Sequence, residues 1–248
     1  MAKQRAGIIL FCVDAHGKKK YLLGNESKWI KDLIPKDKWN PAYEHVSESK
    51  CRNMAGALRY FKHQKATVQA LLPDNPVHHA QIEHKDDVYS TKWMIAHEKP
   101  KWGLPKGHCE DSDKNIFACA RREFHEETLS KLSGTVLDSI SFPYKREDEI
   151  EFFVCEVEYD IMDAILDKFA KNLADNHGDG TEFSDLATFS QRQVKRMVAH
   201  METNEATAIA MSKLFQRRST RKSPGSSGSS GSSSASSKRS KTHKNKKE

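Results

Sequence analysis

Three glutamates crowd one stretch of the sequence, WGLPKGHCEDSDKNIFACARREFHEETL at residues 102–129. Glu123, Glu126 and Glu127 stand at i, i+3 and i+4, so on a helix their carboxylates lie on one side. Like charges at these spacings repel each other, and they do so more strongly when partly buried. Two explanations are open. Solvent and nearby basic residues could screen an acidic helix face, or the glutamates could bind Mg²⁺ or Mn²⁺, which prefer carboxylate and carbonyl oxygens.

The elements that must position these glutamates can be predicted from the same stretch. Residues 102–107 begin apolar and end Pro-Lys-Gly, which predicts a strand that turns sharply at Gly107, where the backbone can approach a neighbour closely. From about residue 114 the composition is helical. An apolar stripe of Phe117, Ala120 and Phe124 recurs at three and four residues and should anchor one helix face in the core. The glutamates lie beside that stripe.

This pattern resembles the Nudix box, G-x5-E-x7-R-E-U-x-E-E-x-G-U, in which U is aliphatic or aromatic. The resemblance runs from Gly107 through Arg122 to Glu127, and the metal-binding core R-E-U-x-E-E is complete. Two positions depart from the pattern. Asp113 stands where glutamate is usual, one residue further from Arg122, and Leu129 replaces the glycine near the helix end.

The resemblance implies an α+β fold, a Nudix-type α/β/α sandwich with a mixed sheet, and a metal-dependent hydrolase. Two or three Mg²⁺ or Mn²⁺ ions would neutralise a diphosphate and activate a water for in-line attack on phosphorus. Arg122 matches the structural arginine of the box, which the first acid, here Asp113, supports. The positions that match the family's metal ligands are Glu123, Glu126, Glu127 and Gly107.

Further site residues follow from the same resemblance. The catalytic carboxylates would be Glu126, Glu127 and Glu182, with Glu127 or Glu182 accepting the water's proton. Glu182 precedes an apolar segment, as the family's additional ligand or base does; its competitors are Glu147, Glu149 and Glu151. Lys106 is placed to meet phosphate oxygens. Trp29, Trp39, Trp93 and Trp102 are candidates for stacking on a base, although a tryptophan is more often part of a core. Of these, Trp102 is assigned to substrate binding together with Lys106.

The chain divides into three parts. Residues 1–25 and 97–215 are assigned to the Nudix hydrolase domain, which opens with a hairpin of strands at 6–13 and 20–23. Residues 26–96 are predicted to be a mostly helical insertion, with helices at NESKWIKDLI and NMAGALRYFKHQKATVQALL and a closing strand at 90–96. Residues 216–248 are predicted to be a disordered, Ser/Gly-rich basic tail.

The second half of the predicted Nudix domain contains further predicted strands, a loop and a helix. Strands are predicted at 135–144 and 150–158 and a loop at 175–180. Ser190 can cap one long helix that continues through residue 216.

Charge and cysteine content narrow the class of protein. Residues 216–248 carry ten Lys or Arg against one acid, which leaves 31 basic and 33 acidic residues in the rest of the chain. The five cysteines are dispersed without a C-x-x-C, so reduced packing residues are expected rather than disulfides or zinc ligands. No apolar run is long enough for a membrane span, so we expect an intracellular, cytoplasmic protein with no membrane partner, in the host cytoplasm if it is viral.

Removal of the mRNA 5′ cap is the favoured function, with two alternatives. WGLPKG resembles mRNA-decapping enzymes, and an insertion between the first strands and the box resembles the layout of decapping Nudix proteins from large DNA viruses; the partner would then be capped mRNA, held in part by the basic tail. The dinucleoside polyphosphate hydrolases share P-K-G-H, so a dinucleoside or inositol polyphosphate hydrolase is the enzyme alternative. The second alternative is a non-catalytic RNA-binding protein with a degenerate Nudix fold.

Overall fold

The computed structural model describes residues 4–79, 82–97, 99–144, 148–174 and 182–220. Strands β1 to β12 are, in order, Gln4–Val13, Lys19–Trp29, His45–Ser47, Val77–His79, Glu83–Lys85, Val88–Ser90, Trp93–Ala96, Trp102–Gly103, Lys106–His108, Thr135–Tyr144, Asp148–Glu156 and Phe183–Ser190. Helices α1 to α6 are Glu48–Cys51, Met54–Leu71, Ile116–Thr128, Tyr159–Ala174, Gln191–Ala199 and Glu205–Thr220.

A mixed nine-stranded sheet forms the centre of the molecule. Its strand order is β10-β11-β1-β2-β7-β4, with β8 and β12 also paired to β2 and β9 paired to β1. β1 runs parallel to β11, and the other pairs are antiparallel. The run AGIILFCV of β1 is apolar at successive positions because both faces are covered: Ile8 and Leu10 point into one core, and Ile9 and Phe11 into the other.

Helices cover the two faces of this sheet. Phe124 of α3 and Phe169 of α4 pack into the core on one side. Met197 of α5 and Met211 of α6 pack into the core on the opposite side. The predicted α/β/α sandwich with a mixed sheet is therefore confirmed, and α3 lies where the acidic stretch was expected to form a helix.

Residues 26–96 contain α1, α2 and three 3₁₀ turns but also short strands, and β2 runs across the boundary predicted at residue 26. In place of the first predicted helix, NESKW continues β2 to Trp29 and a 3₁₀ turn forms at Ile30–Leu33, because Pro35 cannot continue a helix. Residues 54–71 do form the predicted helix, α2. Two more 3₁₀ turns, Lys36–Lys38 and Pro41–Tyr43, the short helix α1 and the short strands β3 to β7 surround a separate core that contains Phe61 and Trp93. β7 pairs with both β2 and β4, which joins this segment to the main sheet.

Three further features differ from the prediction. α4 was not predicted. The helix that Ser190 caps, through a full capping box with Gln193, ends at Ala199, and α6 begins only at Glu205. The break contains Met201 in a left-handed conformation, φ 56°, which a long helix cannot accommodate.

The predicted tail boundary at residue 216 is also wrong, because α6 continues to Thr220. Residues 221–248 of the tail, the predicted loop at 175–180 and Glu147 lie outside the described residues. Among the helices that are described, none has the length and apolar character needed to span a bilayer.

Candidate active site

Both ends of α3 are fixed by local interactions. Asn115 caps its start, with its side chain accepting a hydrogen bond from the backbone N–H of Ala118 at 2.8 Å. Leu129 ends it in a left-handed conformation, φ 58°, and donates its N–H to the His125 carbonyl. Glycine adopts this conformation freely, which accounts for the glycine of the usual motif; a leucine there costs about 1 kcal/mol.

The connection from β9 to α3 contains a disulfide, contrary to the predicted reduced cysteines. Cys109 follows β9, Cys119 lies in the first turn of α3, and the loop brings their Cα atoms to 5.2 Å. A spacing of ten residues gave no sequence signal for this bond, because only the folded loop sets the distance. The other cysteines, Cys12, Cys51 and Cys155, are free.

Arg122 connects the loop to the acidic face of α3. Its Nε and Nη2 donate to the two carboxylate oxygens of Asp113 at 3.2 and 3.0 Å, and Nη2 also donates to the His108 carbonyl at 2.7 Å. Nη1 donates to Glu123 at 2.8 Å and to Glu126 at 3.0 Å. The extra residue between Asp113 and Arg122 therefore does not prevent their bidentate pairing.

Glu127 is the most buried of the three glutamates, with 6% of its surface exposed. It accepts a hydrogen bond from the backbone N–H of Lys106 at 2.9 Å. The Lys106 Nζ donates to Glu26 on β2 at 3.0 Å, and Asn204 donates to the same oxygen of Glu26. Lys106, which the sequence placed against phosphate, thus holds two carboxylates of the site from a largely buried position.

Gly107 allows the backbone of β9 to pass close to α3. A Cβ added at this position would overlap the carboxylate of Glu123. The close approach that the sequence predicted at this glycine is therefore present, and its partner is one of the three glutamates.

Burial dominates the electrostatics of these carboxylates. It raises the pKa of Glu123 to about 7, although Arg122 opposes the shift, and Glu126 adds to it. Burial likewise raises the pKa of Glu126 against the influence of Arg122, and it raises that of Glu127 well above its usual range against the influence of Lys106. Burial disfavours the charge of Lys106 too, but Glu26 and Glu127 outweigh it and raise its pKa. Ionising these carboxylates in the folded protein is therefore unfavourable unless a cation compensates their charge.

These groups line one cleft of about 560 Å³. The three glutamates of α3 share its wall but do not converge on one point. Among the described residues, two groups of His, Cys, Asp or Glu have ligand atoms within 4.8 Å of one another, and neither group contains these glutamates. Arg122 holds Glu123 and Glu126 on one side, and Glu127 turns towards Lys106. Carboxylate oxygens are the ligands that hard divalent cations prefer, and each of these glutamates offers them at the cleft wall.

Glu182, immediately before β12, lines the same cleft, as its predicted role requires. It is half exposed, and its carboxylate lies 3.5 Å from Nζ of Lys92. Its competitors Glu149 and Glu151 lie on β11 and are not part of the cleft wall.

Trp102 is not brought into the cleft. Its ring packs edge-on against Phe189 at 4.7 Å, beside the core that α5 and α6 cover. The structure therefore does not place this predicted substrate-binding residue near the three glutamates.

Sequence reasoning missed Glu26, Lys92 and Asn204. Glu26 is 80 residues from Lys106, and Asn204 is 178 residues from Glu26. No motif connects them, so only the pairing of the strands and the packing of α6 could reveal these contacts. A weak signal for Glu26 existed, since it is a carboxylate in a strand that also contains buried apolar residues.

The arrangement as a whole offers carboxylate oxygens for divalent cations, two lysines at the wall and the half-exposed carboxylate of Glu182 in the same cleft. Cations bound there would complement an anionic, phosphate-containing ligand.

A family model described as the NUDIX domain matches residues 85–208. No curated protein matches the chain. Among solved structures, an Ap4A hydrolase from C. elegans in a binary complex is 10% identical over 88% of this chain and 99% of that chain, with a TM-score of 0.41. A mutT/nudix family protein from Listeria innocua is 14% identical over 88% and 95%, with a TM-score of 0.43. The Nudix hydrolase RenU from M. smegmatis is 12% identical over 88% and 86%, with a TM-score of 0.40.

Proposed function

Because the chain belongs to the NUDIX domain family, we propose that it hydrolyses a nucleoside diphosphate linkage with Mg²⁺ or Mn²⁺ and that its substrate is the 5′ cap of mRNA. The observation that carries the hydrolase proposal is the wall of three glutamates on α3, of which Glu127 is buried and Glu123 and Glu126 are half-buried, all with raised pKa values. Their cleft is lined by seven glutamates and only four Lys or Arg side chains. Half-buried carboxylates are costly to ionise unless a cation compensates their charge, and carboxylates of this kind form the sites that bind divalent metal ions.

The residues proposed to hold the metal ions are Glu123, Glu126 and Glu127, together with the backbone carbonyl of Gly107. When bound, divalent ions supply charge neutralisation for the diphosphate and a water of lowered pKa. Arg122 keeps Glu123 and Glu126 on the cleft side of α3, and Asp113 in turn holds Arg122. Lys106 orients Glu127 through its backbone N–H.

Glu182 is proposed as the group that accepts the proton of the attacking water. It lines the same cleft as the glutamates of α3 and is half exposed, so its carboxylate can turn towards a substrate. Glu127 is less suited, because burial already holds its pKa well above the usual range and its carboxylate accepts the Lys106 N–H. Lys92, beside Glu182 and half exposed, is proposed to contact phosphate oxygens.

Capped RNA is favoured over a small dinucleotide by features outside the cleft. The sequence WGLPKG resembles that of decapping enzymes, and the last 33 residues are strongly basic. Arg59 and Lys62 are exposed on α2, near exposed Arg52, and could face the RNA body.

One experiment separates the alternatives. Cap-labelled long RNA, free cap dinucleotide, diadenosine tetraphosphate and an inositol pyrophosphate are each incubated with Mn²⁺ or with chelator. Decapping predicts metal-dependent release of 7-methylguanosine diphosphate from long RNA, lost by at least about 100-fold in Glu126→Gln and retained in the exposed control Glu149→Gln.

Turnover confined to the small substrates would reject decapping and support the polyphosphate hydrolases. RNA binding without turnover of any of the four would reject the hydrolase proposal and leave an RNA-binding protein.

A further inference from the structure

A second, smaller pocket adjoins the cleft on the side of residues 26–96. It has a volume of about 170 Å³ and shares Glu83 and Lys92 with the cleft wall, so the two form one continuous depression. Trp29 and Glu44 lie in its wall. We call it the side pocket.

Strand β2 leads from the cleft into the side pocket. Ser27 lies in the cleft wall, and Trp29, two residues further along the same strand, lies in the pocket wall. Alternate residues of a strand project to the same face, and two residues span about 7 Å. A nucleoside attached to a diphosphate in the cleft can therefore reach Trp29, with Lys92 between the two volumes.

The side pocket already holds a positive charge against an aromatic face. The Lys31 ammonium lies over the Trp29 ring, 5.1 Å from its centre, and is paired with the carboxylate of Glu44. An indole face and a carboxylate that both contact one cation form an environment that favours flat, positively charged groups.

The polar atoms at this place are not fully satisfied. Nε1 of Trp29 and Oε2 of Glu44 are both buried, and neither has a hydrogen-bond partner in the described residues. Such atoms are uncommon in native interiors. Lys31, by contrast, is partly exposed along its side chain and can swing out into solvent.

We propose that the side pocket binds the nucleobase of the substrate, and that it selects a purine ring carrying a positive charge, which stacks on Trp29 in place of the Lys31 ammonium. This inference rests on the proposed function, since it names the group attached to the diphosphate. Among the four tryptophans that the sequence offered for stacking, it assigns the role to Trp29, which lies in the pocket wall, and not to Trp102. An N7-methylated guanine has the required charge and planarity.

The test is binding of 7-methylguanosine diphosphate, measured by quenching of tryptophan fluorescence and by calorimetry in the presence of Mg²⁺. Wild type should show quenching and should bind the methylated nucleotide more tightly than guanosine diphosphate. Trp29→Leu should lose the quenching and at least about five-fold in affinity, the lower end for a base stacked on an aromatic side chain. Trp102→Leu, which also removes one half-buried tryptophan, should retain both.

Trp29→Phe keeps an aromatic ring in the pocket wall, so it tests the proposal even if the leucine variant does not fold. It should lose the quenching signal with a smaller loss of affinity. Unchanged quenching in either Trp29 variant, or equal affinities of wild type for the methylated and unmethylated nucleotides, would overturn the proposal.

Binding of a product nucleotide does not require turnover. An inactive protein that binds 7-methylguanosine diphosphate through Trp29 would refute the proposed hydrolase and support the side pocket. An active protein whose fluorescence quenching does not depend on Trp29 would support the proposed hydrolase and refute the role of the side pocket.

Discussion

Individual carboxylates of α3 differ in how they are held, although their spacing makes them look equivalent. Glu123 and Glu126 share one guanidinium nitrogen of Arg122, whereas Glu127 is almost fully buried and accepts a backbone N–H. All three have pKa values raised first of all by burial. Ionising them in the folded protein therefore costs free energy, and bound divalent cations would offset that cost.

A pH dependence of stability follows at this scale. The pKa of Glu123 is about 7 in the folded protein and 4.5 in its reference state, so between these values the folded chain holds a proton that the unfolded chain has released. In chelator, the free energy of unfolding should therefore fall as pH rises from about 4.5 to about 7, with about 3 kcal/mol contributed by Glu123. Urea unfolding at a series of pH values measures it.

Glu123→Gln should flatten this fall and raise the stability of the metal-free protein above about pH 7, whereas Glu149→Gln, an exposed carboxylate on β11, should not. Mg²⁺ should stabilise wild type in the same pH range and have much less effect on Glu123→Gln. Parallel pH curves for wild type and Glu123→Gln would contradict the assignment of the shift to this residue.

The connection between β9 and α3 is the element that sets the direction of the acidic helix face. It is held by the Asp113–Arg122 pair, by the disulfide between Cys109 and Cys119, and by the Asn115 cap. The pair replaces the usual glutamate with a shorter side chain, and one additional residue in the loop accompanies it. Arg122 also binds the acidic face itself, so removal of its loop partner Asp113 should also change the positions of Glu123 and Glu126 in the cleft.

Asp113→Asn tests this coupling. The carboxylate is 8% exposed and charge-paired, so its replacement should lower the free energy of unfolding by about 2 kcal/mol. It should also lower kcat more than it raises KM, because Arg122 would no longer keep Glu123 and Glu126 in place. Thermal unfolding and steady-state kinetics measure both quantities.

Asp111→Asn is the matched control, since Asp111 is an exposed carboxylate in the same loop. It should change neither stability nor kcat. Equal effects of the two substitutions would show that the loop charge, and not the pairing with Arg122, matters.

At the scale of the whole molecule, charge is divided between parts of the chain. The first 215 residues carry a small excess of acid and include the acidic cleft, whereas the end of the chain is strongly basic. A polyanion such as RNA would be repelled by a cleft without its metal ions and attracted by the basic end. Residues 26–96 add a second core and join the main sheet through β7, so the side pocket lies between two packed bodies of the same chain.

Deleting residues 222–248 should weaken turnover of long capped RNA at moderate salt and leave cap dinucleotide turnover unchanged. The deleted segment carries seven Lys or Arg and one acid. For a single strand, each phosphate that is no longer neutralised by a basic side chain reduces the slope of log affinity against log salt by about 0.7. RNA binding at several salt concentrations measures that slope. Equal slopes with and without the segment would contradict the proposal that the basic end of the chain binds the RNA.

Much of the site was predictable because its chemistry is local. Glu123, Glu126 and Glu127 lie within two turns of one helix, so the 3.6-residue period places them together whatever surrounds the helix. The strands at 6–13, 135–144 and 150–158 were equally evident, since continuous apolar or β-branched runs describe strands that a fold must bury.

What the sequence left undecided depends on contacts between distant residues. The partners of Lys106, the position of Trp102 against Phe189 and the disulfide of Cys109 are set by strand pairing and helix packing, which leave no local pattern. The short strands within 26–96 were not predicted for a related reason. Three-residue strands are stabilised by their neighbours and are too short to show a periodicity of their own. The sequence by itself determined which helix carries the acids. Tertiary structure alone decided that burial raises their pKa values, that Glu26 and Lys92 share their cleft, and that Trp29 rather than Trp102 lies beside it.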